Sequence, residues 1–429
     1  MPCARSATRG GAAASACQGR ARRARTLAYV AIDNYRVLTE PEFGTMSGLA
    51  KASADWRRLA HNVETLAAVA GVPLLAMVKA DAYGHGMVPA GRVAVEAGAA
   101  SLGVVTLREA WRLKRLPDLA DTTVMAFFFS PDQPGLAEVV DAGVELGVSS
   151  LAQLDAVAAA ADKAGRPARI HLKGDTGMAR GGVAAHEWEF AAEAAAKHQA
   201  AGSLVVVGAW SHMACADEIG HPANAEQKAA FGRFLEAVAA SGLEPEVRHL
   251  ANSAALISDP ETRYDMVRPG IALYGYNPVP EFAIDLRPVI EVRSVVMSVK
   301  RVPAGSGISY GHTVHLERDT NVALVPLGYA DGVPRAASGR AEVYLAGKRR
   351  RVLGRICMDQ FMVDCGDDVV KPGEPVVLIG AGEQHPDADD WSAWAGTIPN
   401  DVLTAIGSRV PRLWNRGLEP RDSSHHDGA

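Results

Sequence analysis

The stretch PLLAMVKADAYGHG, Pro73 to Gly86, sets an apolar run, Leu74 to Val78, directly against Lys79, and Ala80 to Gly86 have the chemistry of a turn and a helix start. A buried strand therefore delivers an amine to its own C-terminal end. Burial disfavours the charged form of a lysine, and a lysine with a lowered pKa serves as a nucleophile or joins a carbonyl as a Schiff base. A single lysine at a strand end is more often a side chain snorkelling to water. The other chemically capable residues decide between the two readings. HLKGDTGMARGG carries Lys173, Asp175 and Arg180, and Ser211-His212, Asn252-Ser253 and Arg268-Pro269-Gly270-Ile271 each follow an apolar run.

The elements that must position these residues alternate. Asp55 to Ala70 has apolar residues at helical spacing, closed by Gly71 and Pro73. Short apolar runs then recur between Ala-rich helical stretches: Leu74 to Val78, Leu102 to Val105, Val124 to Phe128, Val144 to Val148, Ala168 to Leu172, Leu204 to Trp210, Val247 to Leu250 and Asp265 to Val267. Strands alternating with helices in this number predict an α/β fold, a (β/α)8 TIM-type barrel, over residues 46–285. From about Ile284 the texture changes to Val289–Arg301, Asn321–Leu327, Arg340–Val352 and Glu374–Ile379, broken by Gly, Pro and Asp. This predicts a mainly β C-terminal domain over 286–414, with a last helix at Asp401–Ser408.

Residues 1–45 differ from the rest. Arginines among Ala, Ser and Gly, with no acidic residue before Ile32, fit a transit peptide, or sequence upstream of a true start at Met46, which is the reading preferred here. Residues 415–429 read as a disordered tail. The 429 residues are 48% hydrophobic and carry a net charge of −5, which gives no general attraction to nucleic acid or to an anionic membrane. Five unpatterned cysteines suggest neither a disulfide framework nor a metal site, and no apolar run is long enough to span a bilayer. A cytoplasmic protein is expected.

Each candidate falls where a barrel strand ends, which is where barrels carry chemistry. The loops after the seventh and eighth strands can build a phosphate site: Ser253 offers a hydroxyl, and Gly270 and Ile271 offer backbone N–H groups to a dianion. Taken alone, Asn252 and Ser253 would read as a helix cap.

KADAYGHG resembles the motif by which alanine racemases and their close relatives carry pyridoxal phosphate, and the resemblance runs from about Ala50 to about Pro411. It implies that Lys79 holds the cofactor, that Tyr83, Asn252, Ser253, Gly270 and Ile271 surround its phosphate, and that Arg268 approaches its pyridine nitrogen. A guanidinium keeps its proton, so the ring would stay a weak electron sink and transamination would be disfavoured. Tyr310, in GISYGHT, matches the tyrosine that reaches into a partner subunit as the second acid/base, linked through His212 to Arg268. Arg180 matches the arginine at the substrate carboxylate and the cofactor's phenolic oxygen, and Lys173 a lysine that is often carbamylated. Met358, in RICMDQFMVD, matches the loop whose backbone binds the substrate carboxylate from the partner. The resemblance thus implies a homodimer interconverting L-alanine and D-alanine for peptidoglycan, with no metal.

Two departures stand out. Gly174 and the run Ala179-Arg180-Gly181-Gly182 replace bulkier family residues and are expected to loosen the loop carrying Arg180; Ser408 replaces a tyrosine that helps hold the phosphate. The alternatives are a racemase of broad specificity, a decarboxylase of basic amino acids, which Arg268 argues against, and a single-domain carrier of the cofactor, which the β domain argues against.

Overall fold

The computed structural model describes residues 49–414. The readings of 1–45, of a start at Met46 and of 415–429 lie outside the described residues.

A short strand, β1 (Ala50–Ala54), leads into the helix Trp56–Ala70. Asp55 caps that helix by accepting from the Arg57 N–H at 3.1 Å, and Gly71 ends it in the left-handed region, where a residue without Cβ is unstrained. The face carrying Leu59, Val63 and Leu66 is buried. Seven parallel strands follow in sequential order: β2 (Leu75–Met77), β3 (Ser101–Val104), β4 (Thr123–Ala126), β5 (Glu145–Val148), β6 (Ala168–Lys173), β7 (Leu204–Trp210) and β8 (Val247–His249). The predicted eighth strand, Asp265–Val267, forms a single parallel bridge, Leu74 with Val267, rather than a ladder. It nevertheless closes the barrel. The Val267 N–H donates to Pro73 O and the Leu75 N–H to Val267 O, at 3.1 and 2.9 Å, while the Asp265 N–H reaches back to Arg248 O at 3.1 Å. The segment cannot lengthen, because Tyr264 before it sits at φ 47° and Pro269 after it has no N–H.

The second domain holds a nine-stranded sheet in the order β10-β13-β16-β15-β14-β17-β9-β1-β18 and a small pair, β11 (Gly307–Ile308) with β12 (Val314–His315). Its strands are β9 (Ile290–Val295), β10 (Ser298–Val302), β13 (Thr320–Val325), β14 (Glu342–Leu345), β15 (Lys348–Leu353), β16 (Phe361–Gly366), β17 (Pro375–Ile379) and β18 (Arg412–Trp414). The stretch read as one segment, Arg340–Val352, is a hairpin. Ala346 and Gly347 both take positive φ, the pairing a tight two-residue turn demands. The strand β1 belongs here, although the sequence reading put everything from residue 46 in the barrel: Ala52 pairs antiparallel with Val292 and parallel with Arg412. Two helices, Ala388–Ala395 and Pro399–Ala405, complete the domain. Among the described residues no helix is long and apolar enough to cross a membrane.

The junction between barrel and β sheet is tied by one buried amide. Asn62 Nδ2 donates to Leu273 O and Arg287 O, both at 2.9 Å, and its Oδ1 accepts from the Arg287 N–H at 2.8 Å. Asn62→Ala would strand one buried and two part-buried backbone groups, so it is expected to lower unfolding free energy by about 1–3 kcal/mol. A lower denaturant midpoint at unchanged slope checks it.

Candidate active site

Past the end of β2 the chain turns left-handed. Ala80, Asp81, Ala82 and Tyr83 have φ of 53°, 52°, 55° and 53°, a conformation that costs an L-residue about 1–2 kcal/mol each. Side chains hold it in place. Asp81 Oδ1 accepts from the Met87 N–H at 2.8 Å, and Glu109 Oε1 accepts from the Ala80 N–H at 2.8 Å while its other oxygen takes the Val105 and Thr106 N–H groups at 3.1 and 2.9 Å. Arg412, from β18, donates to Gly84 O at 3.1 Å, and a Cβ on Gly84 would stand 2.6 Å from Leu403 O. Lys79 and Tyr83, four residues apart, therefore share a site through a left-handed turn and not through the face of an ordinary helix. The Tyr83 ring packs on Tyr274 at 4.8 Å between centroids, and its hydroxyl lies over the Cα of Gly270.

One cavity of about 330 Å³ at the barrel mouth is lined by Lys79, Tyr83, Lys173, Arg180, His212, Asn252, Ser253, Arg268, Gly270 and Ile271. These are the barrel residues singled out in the sequence. Among the described residues the Lys79 amine makes no hydrogen bond or ion pair, and it is held below the ordinary lysine range by burial first and then by Arg180 and Arg268, against the pull of Glu109. Arg268 is buried without a carboxylate in contact. Its Nη2 donates to Ser211 O and Leu250 O, at 2.6 and 2.9 Å, and stands 3.3 Å from His212 Nδ1. Burial pulls its guanidinium down to about 9, which leaves it protonated at neutral pH. His212 is held well below the usual histidine range by burial and by Arg268, and is therefore neutral.

Sequence reasoning missed Trp210. Its ring lies 5.1 Å from the Arg268 guanidinium carbon and 4.7 Å from Lys173 Nζ, and its indole N–H is buried without a partner. The signal was the last residue of a strand running straight into Ser211-His212. Asn400, from the β domain, also lines the cavity, whereas Ser408 is exposed and does not.

The loop carrying Arg180 is not loosened. Asp175 Oδ1 accepts from the N–H groups of Gly177, Met178 and Ala179 at 3.0, 3.1 and 3.2 Å, and the Val183 N–H returns to Lys173 O at 2.8 Å. Gly174 is small because Phe234 fills the space: a Cβ there would stand 2.8 Å from its ring. On the phosphate side Ser253 Oγ accepts from the Gly270 N–H at 2.8 Å, so that N–H is already engaged, and Asn252 caps its helix through the Ala255 N–H at 3.0 Å. The Ile271 N–H makes no such bond.

Tyr310 and Met358 do not line this cavity. Tyr310 sits in a second cavity of about 620 Å³ within the β domain, beside Lys300, Ser309, His312 and Cys357, and is 71% exposed. Ser309 joins the two loops by donating to Arg355 O at 2.6 Å. Met358 O accepts from the Ala330 N–H at 3.0 Å, which fixes its loop.

The barrel cavity gathers two lysines, two arginines and backbone and hydroxyl donors, and only Asp217 opposes them in charge. Such a site takes an anion and offers it an amine.

Two family models match: the alanine racemase N-terminal domain over residues 54–278 and the alanine racemase C-terminal domain over 289–414. An alanine racemase of Salinispora arenicola is 49% identical over 368 residues, 85% of this chain and 98% of that protein. The crystal structure of alanine racemase from a D-cycloserine-producing Streptomyces lavendulae is 45% identical, covers 86% of this chain and 98% of its own, and superposes with a TM-score of 0.84. The alanine racemase of Bartonella henselae, solved with covalently bound pyridoxal phosphate, is 28% identical over 85% of this chain and 99% of its own, with a TM-score of 0.77. The chain belongs to the alanine racemase family.

Lys173 gives a pH test. Burial, then Arg180 and Arg268, pull it down to about 8 from a free value of 10.5. Between those two values the unfolded chain binds more protons, so this group makes stability rise with pH across that window. Lys173→Met is expected to flatten that rise, and denaturant midpoints taken across the window check it.

Proposed function

We propose that this chain is a pyridoxal phosphate-dependent alanine racemase, interconverting L-alanine and D-alanine in the cytoplasm to supply D-alanine for peptidoglycan. The observation that carries the reading is the pairing, in one cationic cavity, of an unengaged amine of lowered pKa, Lys79, with a guanidinium, Arg268, that keeps its proton. The residues present fit the cofactor. Tyr83, Asn252, Ser253, Gly270 and Ile271 form a cradle of hydroxyl, amide and N–H groups for a dianion, and the Ile271 N–H has no protein partner. Lys79 is the amine that would hold the aldehyde, and Arg268 would face the ring nitrogen.

When bound, pyridoxal phosphate supplies the electron sink that acidifies the α-hydrogen of an amino acid. Everything else falls to the chain. Arg268 donates without surrendering its proton, which limits that sink and favours proton return to the α-carbon. Lys79, on one side, exchanges the α-proton of the D-enantiomer. Tyr310, on the other, exchanges that of the L-enantiomer, and two groups on opposite faces are what inversion requires. Arg180, exposed and free of ion pairs, turns toward the substrate carboxylate, assisted by the backbone of Met358. Lys173, held near 8, is neutral often enough to take up carbon dioxide as a carbamate that would orient Arg180.

Tyr310 lines a different cavity from Lys79 and Met358 lines neither, so the reading requires a homodimer in which each β domain completes its partner's barrel mouth. Their exposure, 71% and 52%, suits groups meant for a partner.

Inversion of L-alanine in heavy water, with deuterium entering Cα, is the expected result for purified protein given the cofactor. Protein that binds pyridoxal phosphate yet neither inverts alanine nor exchanges its α-proton would refute the reading. Lys79→Ala is expected to abolish the visible absorbance of bound cofactor. Tyr310→Phe is expected to slow α-proton exchange from L-alanine by about 10²–10⁴-fold and from D-alanine far less; equal losses would overturn the two-base assignment.

A further inference from the structure

Beneath the cavity the barrel interior contains polar side chains that the reading above leaves unused. Along β6, Arg169, His171 and Lys173 alternate, and alternate residues of a strand share one face. Lys173 is at the mouth, His171 is 1% exposed below it, and Arg169 emerges at the far end. His171 Nδ1 is 2.9 Å from His249 Nε2, and His171 Nε2 is 2.8 Å from Glu145 Oε2. His249 Nδ1 is 3.0 Å from Arg268 Nη1, and Glu145 Oε1 accepts from Arg169 Nε at 2.8 Å.

The two ends fix every proton between them. A guanidinium only donates, so His249 Nδ1 accepts and its own proton sits on Nε2, donated to His171 Nδ1. His171 then carries its proton on Nε2 and donates it to Glu145, which as a carboxylate only accepts. All the bonds run one way, from Arg268 to Glu145. The strands leave room for this: the register partners of His171 are Gly147 and Gly208, and a Cβ on Gly208 would fall on the His171 ring. Burial and Arg268 hold His249 well below its usual range. Burial opposes the charge on Glu145, but His171 and Arg169 keep its carboxyl below the ordinary value.

We propose that Glu145 is a positioning residue for Arg268: through His171 and His249 it orients the guanidinium and supplies the anion that balances it, so that the proton stays on Arg268. The proposal rests on the reading that Arg268 faces the cofactor's ring nitrogen. One Nη1 proton goes to the relay and Nη2 donates to backbone carbonyls, which leaves the second Nη1 proton and the Nε proton, neither bonded among the described residues, for a ligand. Charges on the order of 10 Å apart, at an effective dielectric of about 20, change a proton equilibrium by about tenfold. Without the glutamate charge the guanidinium is a stronger acid, the ring nitrogen gains more of its proton, and the electron sink deepens. More of the substrate's amino group and its electron pair then pass to the cofactor aldehyde, and alanine leaves as pyruvate.

The test compares Glu145→Gln, which removes the charge and keeps the shape, with Gly208→Ala, which displaces His171 and keeps the charge. Pyruvate released per alanine inverted, measured in one sample of loaded enzyme, is expected to rise about tenfold in Glu145→Gln, and to rise in Gly208→Ala through the lost orientation of Arg268. In cofactor-free wild-type protein, nitrogen-15 spectra are expected to show His171 and His249 neutral and protonated on Nε2. An unchanged pyruvate ratio in folded variants, or either imidazole protonated on Nδ1, would overturn the proposal. Where a variant does not fold, the wild-type spectra decide. A wild-type protein that inverts no alanine would refute the function proposed above, while the spectra still judge the relay.

Discussion

A guanidinium taken out of water with no carboxylate touching it is the constraint around which this molecule is arranged. Arg268 survives burial only because the strand ends of a closed barrel present carbonyls that no further strand claims: Ser211 O beyond β7 and Leu250 O beyond β8 take its Nη2 protons. The face of Trp210 lies against it, His249 accepts from its Nη1, and His212 Nδ1 stands 3.3 Å from the same Nη2. Its charge in turn shapes its neighbours. It helps lower the amine of Lys79 and of Lys173 and helps keep His212 neutral. Burial shifts these groups first, and the buried cation adds to the shift in each.

The lysine side of the cavity depends on something else, a backbone held where L-residues resist going. The barrel alone does not hold it. The left-handed turn after Lys79 is gripped from below by Glu109 and from the side by the β domain, where Arg412 and Leu403 close on Gly84. Asn400 reaches the cavity from the same quarter. The Lys79 amine is thus positioned jointly by two domains, and disturbing their junction disturbs the cavity.

Much of this was legible in the sequence because the signals were periodic. Apolar runs followed by Lys79, Lys173, His212, Asn252 and Arg268 marked strand ends, and those residues line one cavity. What escaped had weak or misleading local chemistry. The strand β1, AKASA, has no β-branched or aromatic residue and is a strand only because β9 and β18 flank it. The eighth barrel segment looked like its siblings, yet a left-handed Tyr264 and a proline confine it to one bridge. The left-handed turn at Ala80–Tyr83 carries no glycine to betray it. The interior relay was hidden because Ala168–Leu172 read as an apolar run, although the alternation of Arg169, His171 and Lys173 was present in it. A polar residue at every second position of a barrel strand marks an interior that is not simply greasy.

The placement of β1 bears on how the protein is made. The chain threads from the ribosome in order, so β1 appears before any barrel strand, while its neighbours β9 and β18 are synthesised after the whole barrel and after the rest of the β domain. Until β9 is made this strand has two open edges, and until β18 is made it has one, a state that invites pairing with other nascent chains. The late arrival of β18 also brings Arg412 to Gly84, so the turn behind Lys79 gains its last support only when synthesis is nearly complete. The turn behind Lys79 thus waits for a support that lies 328 positions further along the chain.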